Sequence, residues 1–151
     1  MASLDETTRR ASPPDRRERA PRRLLLTIAM HPSLRRVGER AALHEIEDGG
    51  RVALSRSAPE FRTVDGRPCG PLADPFISRS PLVLRAGEGG DLVLERDPDS
   101  SALTVDGVAR QGRVPLSAEA LRRGVVLELA YRVVLVLHSV PDPEEPLPKY
   151  G

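Results

Sequence analysis

Cys69 is the only cysteine of the chain. An internal disulfide is therefore excluded, and so is a cysteine-based zinc site. A lone thiol fits a reducing, cytoplasmic compartment. Tryptophan is absent, and aromatics make up 3% of the residues. The core must then be built from Leu, Val, Ile and Ala, and no aromatic platform stands ready for single-stranded nucleic acid. Charge of one sign is missing too. Twenty-three basic side chains nearly balance 22 acidic ones, for a formal charge of +1, which is no nucleic-acid footprint. No apolar run reaches membrane-spanning length, and the N-terminus carries no secretory apolar segment. Lysine is nearly absent, Lys149 being the only one. Arg presents a planar fork suited to phosphate and carboxylate, although genomic base composition also favours Arg over Lys.

What the chain has is proline and glycine, 15 and 12 residues in a total of 151. That many breakers argue for turns rather than long helices. Residues 1–23 read as a disordered Arg-rich tail, with little that is apolar to bury. Residues 141–151, opening Pro-Asp-Pro-Glu-Glu-Pro, read as an acidic, extended linker. A fragment cut at a domain border is the expectation. Between them, residues 24–140 carry short β-type runs. Leu24 to Met30 is continuously apolar. Arg51 to Leu54 and Asp74 to Ile77 are short. Pro81 to Arg85 and Asp91 to Glu95 frame a Gly-rich turn, which signals a hairpin. Ala102 to Val105 leads into Asp106-Gly107, a favoured type I′ pair. Val125 to Leu129 and Arg132 to His138 meet at Ala130-Tyr131. Arg40 to Ile46 suits two helical turns or a strand. Ser117 to Arg123 suits a single turn capped by Ser117 and stopped by Gly124. The sum is an all-β sandwich of about 10–11 short antiparallel strands.

Catalysis needs a nucleophile with a base, a metal cluster or paired carboxylates. His31, His44 and His138 share no metal-ligand spacing and read as surface or strand-end residues. Asp97-Pro-Asp99 lacks the rest of a calcium loop. Cys69 has no basic neighbour in sequence closer than Arg67 and reads as an inert thiol. No enzyme, cofactor or metal is expected. What remains is a repeated dipeptide after an apolar run, Leu54-Ser55-Arg56 and Ile77-Ser78-Arg79. A hydroxyl beside a guanidinium suits a phosphate.

The order of these loops resembles the forkhead-associated (FHA) domain, over roughly residues 24–140. Leu54-Ser55-Arg56 stands at that family's Gly-Arg position and Ile77-Ser78-Arg79-Ser80-Pro81 at its Ser-Arg-x-His. Ser101 to Gly107 stands at its Asn-Gly motif, and Leu121-Arg122-Arg123-Gly124 at its Leu-x-x-Gly-Asp turn. The resemblance implies an FHA-like sandwich that binds phosphothreonine peptides through Arg56, Ser78, Arg79 and Ser101. Arg56 would pair with phosphate and Ser78 would donate to it, with Arg79 or Ser101 on phosphate or peptide backbone. The chain departs from the pattern at four points, the mildest being Asp106 in place of the second Asn. Pro81 replaces the bracing His, Ser101 replaces the Asn that holds the peptide, and no Gly precedes Arg56. A degenerate FHA sandwich, serving phosphate-independent protein contact or self-association, is the alternative. Leu26 to Arg40 and Pro71 to Arg79 further resemble the FHA-type sensor of bacterial sigma-54-dependent activators. In those, an AAA+ ATPase and a DNA-binding domain follow. The expected partners are a phosphothreonine protein, the chain's own Thr7 or Thr8 once phosphorylated, or a C-terminal ATPase outside this chain, with no direct nucleic acid and no membrane.

Overall fold

Alternation of buried and exposed positions builds the two sheets. In β3 (Arg51–Leu54), Val52 and Leu54 face inward while Arg51 and Ala53 face out. In β11 (Val125–Leu129), Val125, Leu127 and Leu129 are buried. That period of two is the signature of a half-buried strand. A computed structural model describes residues 22–141, with Arg23–Val140 as one unit. The proposed disorder of the N-terminal tail, the linker character of the last ten residues and the modification of Thr7 or Thr8 lie outside the described residues.

Among the described residues, twelve strands and two short α-helices follow in the order β1 (Arg22–Met30), β2 (Arg40–Ala42), α1 (His44–Glu47), β3, β4 (Phe61–Arg62), β5 (Pro68–Gly70), β6 (Leu82–Ala86), β7 (Leu92–Arg96), β8 (Leu103–Val105), β9 (Val108–Arg110), β10 (Gly112–Leu116), α2 (Ala118–Arg123), β11 and β12 (Val133–Pro141). Eight strands form one sheet in the order β5-β4-β2-β1-β12-β11-β8-β9, and β10-β7-β6-β3 form the other. The pairs β6–β7, β8–β9 and β11–β12 are antiparallel hairpins. The inward faces meet in an aliphatic core that includes Leu26, Leu84, Leu94, Leu127 and Leu135, with Phe61 its one aromatic. The chain is thus an all-β sandwich. No helix among the described residues is long and apolar enough to cross a membrane.

Most of the sequence-read strands form within a residue or two of their expected bounds. The Asp106-Gly107 turn has positive φ at both residues, 49° and 85°, as a type I′ turn requires. Helix α2 is capped by the Ser117 hydroxyl, which accepts from the Ala120 N–H at 3.0 Å, and Gly124 at φ 96° ends it. Four readings change. Asp74 to Ile77 is a turn rather than a strand: Asp74 Oδ1 accepts from the Phe76 N–H, and the Asp74 carbonyl accepts from the Ile77 N–H. An Asp before Pro favours such a side-chain-closed turn over an extended run. Arg40 to Ile46 divides into strand β2 and the single turn α1. Strand β1 takes in Arg22 and Arg23, and β12 runs on to Pro141. His31 directly follows β1 and is buried, 6% exposed. Its Nε2–H donates to the Leu72 carbonyl, and its Nδ1 accepts from the Ser33 N–H.

Candidate functional site

Register places four chain segments at one end of the sandwich. Leu54 pairs with Leu82, so the end of β3 and the start of β6 lie side by side. Leu129 pairs with both Leu103 and Val133, which brings the start of β8 to the β11–β12 turn. The β3–β4, β5–β6 and β7–β8 loops and that turn are then sewn together. The Arg56 N–H donates to the Ser78 carbonyl at 3.1 Å, the Ala73 N–H to the Arg56 carbonyl at 3.1 Å, and the Ala130 N–H to the Ala102 carbonyl at 2.8 Å.

Arg56, Ser78 and Ser101 meet inside this cluster, and Arg79 follows Ser78 directly. Arg56 is half-buried. Its Nε donates to the Ile77 carbonyl at 2.9 Å and one terminal nitrogen donates to the Pro75 carbonyl at 2.8 Å. A guanidinium has five N–H groups; the others of Arg56 have no acceptor among the described residues. Arg56 therefore holds the β5–β6 loop from within. Pro81 itself contributes its carbonyl, which accepts from the Ser100 hydroxyl at 2.9 Å.

The two serines differ in what they have left to give. Ser78 Oγ lies 2.9 Å from the Asp99 carbonyl. A carbonyl only accepts, so the single hydroxyl hydrogen of Ser78 is spent there. The same oxygen accepts from the Ser80 N–H at 2.9 Å. Ser101 Oγ accepts from the Ser78 N–H at 2.8 Å, and its own hydrogen has no acceptor among the described residues. The hydroxyl with a hydrogen still to donate is thus that of Ser101, while Ser78 ties the loop together. Sequence order points to both serines; only geometry separates them.

Arginines with and without a carboxylate partner both occur among the described residues, and Arg96, on the Ser100 and Ser101 carbonyls, is one of those without. Arg36, Arg85, Arg113, Arg123 and Arg132 each have a carboxylate partner. Neither Arg56 nor Arg79 has one among the described residues. Asp74, 3% exposed, takes Arg132 Nε on its Oδ2 at 2.8 Å. Burial alone would raise its pKa, but the Phe76 N–H and the Arg132 guanidinium outweigh burial and hold it below the ordinary carboxylate value. Asp74 and Arg132 are residues the motif reading does not reach. The signal available in sequence is the Asp-Pro pair, which marks the turn but not its partner.

Elsewhere, Cys69 lies in β5 and burial pushes its thiol above the ordinary value, with the Glu39 carboxylate adding to the effect. Such a thiol is a poor nucleophile at neutral pH. Among the described residues, no three His, Cys, Asp or Glu side chains gather as a metal site would need. No family model matches the chain, and no curated protein matches it.

Proposed function

We propose that the chain is a phosphothreonine-peptide-binding module of the FHA type. The observation that carries this reading is the pair of guanidiniums at Arg56 and Arg79, both without a carboxylate, in loops joined through Ser78 to the free hydroxyl of Ser101. A phosphate brings about −1.5 to −2 charge and three acceptor oxygens. Arg56 supplies its remaining N–H groups, Arg79 a solvent-facing charge, and Ser101 a hydroxyl donor. Charge-assisted bonds of this kind are the strong ones. By the resemblance to sigma-54-dependent activators, the module's job is regulatory, with peptide binding biasing an ATPase that follows it.

The test pairs a degenerate phosphothreonine peptide library with its unphosphorylated counterpart, measured by fluorescence polarisation. Binding is expected for the phosphorylated set alone. Arg79→Ala is expected to weaken it by about tenfold, the value of one charge-assisted contact, without lowering the thermal midpoint. Arg56→Lys separates charge from loop bracing. Equal binding of both libraries would overturn the reading.

A second reading is phosphate-independent protein contact or self-association. The spent hydroxyl of Ser78 favours it, since the family's phosphate donor is here turned to loop structure. Equal binding of the two libraries, or a concentration-dependent dimer, is its expected outcome.

A further inference from the structure

The chain has four aromatic side chains, two Phe and two Tyr. Phe61 is buried in the core, while Phe76 and Tyr131 are 68% and 73% exposed. Both stand in the loop cluster that carries Arg56 and Arg79. Phe76 lies in the β5–β6 loop, two residues before Ser78. Tyr131 lies in the β11–β12 turn, and Arg132 beside it sits 4.4 Å from the Phe76 ring centroid. The same Arg132 is tied to buried Asp74, so the aromatic edge is fixed to the base of the recognition loop.

Backbone strain marks the same place. Ala130 and Tyr131 both have positive φ, 55° and 58°, in a turn closed by the Arg132 N–H on the Leu129 carbonyl. Such turns take Asn-Gly or Asp-Gly by preference, and the chain uses Asp-Gly at the other end, at Asp106-Gly107. A bulky residue at positive φ is uncommon. Ala73, at φ 60°, adds a third non-glycine outlier within this cluster. Strain that the surroundings over-determine concentrates at ligand-handling sites. An exposed tyrosine thus stands where glycine would be easier.

We propose that Phe76, Tyr131 and Arg132 form a specificity-determining patch that takes an apolar side chain, aliphatic or aromatic, from the peptide whose anionic group Arg56 and Arg79 hold. The inference rests on the peptide-binding reading above. Charge selects the class of peptide, and the patch selects among its members. Tyrosine and phenylalanine suit this role because they offer large contact area with few rotatable bonds. Arg132 keeps the Phe76 ring in place by stacking and shields one side of it.

The experiment uses the full chain with Tyr131→Gly and Phe76→Ala. Peptide libraries vary the residues flanking a central Thr, with or without phosphate, and affinity and thermal midpoint are read for each protein. Tyr131→Gly relieves the backbone, so its midpoint is expected to equal or exceed that of the wild type. The preference for apolar flanking residues is expected to fall by about tenfold, as for an interface aromatic. A structural tyrosine would show the reverse, a lowered midpoint with unchanged selectivity. Phosphate-dependent binding whose flanking preference survives both substitutions would overturn the patch and leave the phosphate reading standing. Phosphate-independent binding that loses its preference in both variants would support the patch and overturn the phosphate reading. No binding of either library by the wild type would overturn both.

Discussion

At the scale of single residues, chemistry is decided by which hydrogens are already spent. Ser78 and Ser101 are the same residue type in the same cluster, 2.8 Å apart from N–H to hydroxyl. Ser78→Ala removes a group that serves both Asp99 and Ser80, and leaves both backbone groups without their partner. The expected loss is about 1–2 kcal/mol of stability, visible as a lower denaturation midpoint. Ser101→Ala removes the one unspent hydroxyl hydrogen and leaves the Ser78 N–H without its acceptor, so phosphopeptide affinity is expected to fall and the midpoint to fall less than for Ser78→Ala, where two bonds are lost. Titration calorimetry beside thermal melts checks the contrast, and the opposite assignment of effects would refute it. Titration behaves in the same local way. Burial holds the His138 imidazole below its ordinary value of 6.5, and the nearby Arg40 charge adds to this. Its unfolded form thus binds a proton at a pH where the folded form does not. Folding stability is therefore expected to decline as pH drops below about 6.5 and to level off below the folded pKa. His138→Gln should flatten that part of the urea-midpoint profile between pH 7 and 5; an unchanged slope would assign it to other groups.

At the scale of elements, local signals and tertiary signals part company. Helix α2 is legible from sequence because its cap and its stop are local. Ser117 bonds within the first turn and Gly124 supplies the positive φ. Ser117→Ala is expected to cost about 1 kcal/mol, read as a shift in chemical denaturation. The hairpins β6–β7 and β8–β9 are legible for the same reason, their turns being Gly-rich or Asp-Gly. Three strands are not. Strands β4 and β5 have two and three residues, too short for any period to emerge. Strand β10 contains Pro115, which reads as a strand breaker unless the strand is known to lie at an edge. The stretch Asp74 to Ile77 looks extended by composition, yet Asp74 closes a turn on itself and then pairs with Arg132, 58 positions away. The candidate site is legible in the same uneven manner. The repeated Ser-Arg dipeptides point to Arg56, Ser78 and Arg79 and the order of the loops points to Ser101, while the hydrogen bond that joins Ser78 to Ser101 is visible only in the structure. That Arg56 braces its own loop, and that Arg132 anchors Phe76, depend on contacts between distant segments that no window of sequence contains.

At the scale of the whole molecule, the sandwich is held by aliphatic packing across two sheets. Leu127 is fully buried in β11, between β12 and β8. Leu127→Ala is expected to cost about 2–5 kcal/mol, a large part of the roughly 5–15 kcal/mol typical of a domain. Denaturant unfolding with an unchanged slope checks it. Among the described residues, the two sheets also leave four outer strands, β5, β9, β10 and β3. An outer strand is a template on which another chain can pair. Strands β5 and β9 are three residues long, and β3 opens on exposed Arg51. Strand β10 is longer, with five residues, and depends on Pro115, which has no N–H to offer. The proline that hides this strand from a sequence reader also hides it from neighbouring molecules. Pro115→Val should leave the monomer's fold intact and yet shorten its life in concentrated solution, with light scattering rising during storage where the wild type stays clear.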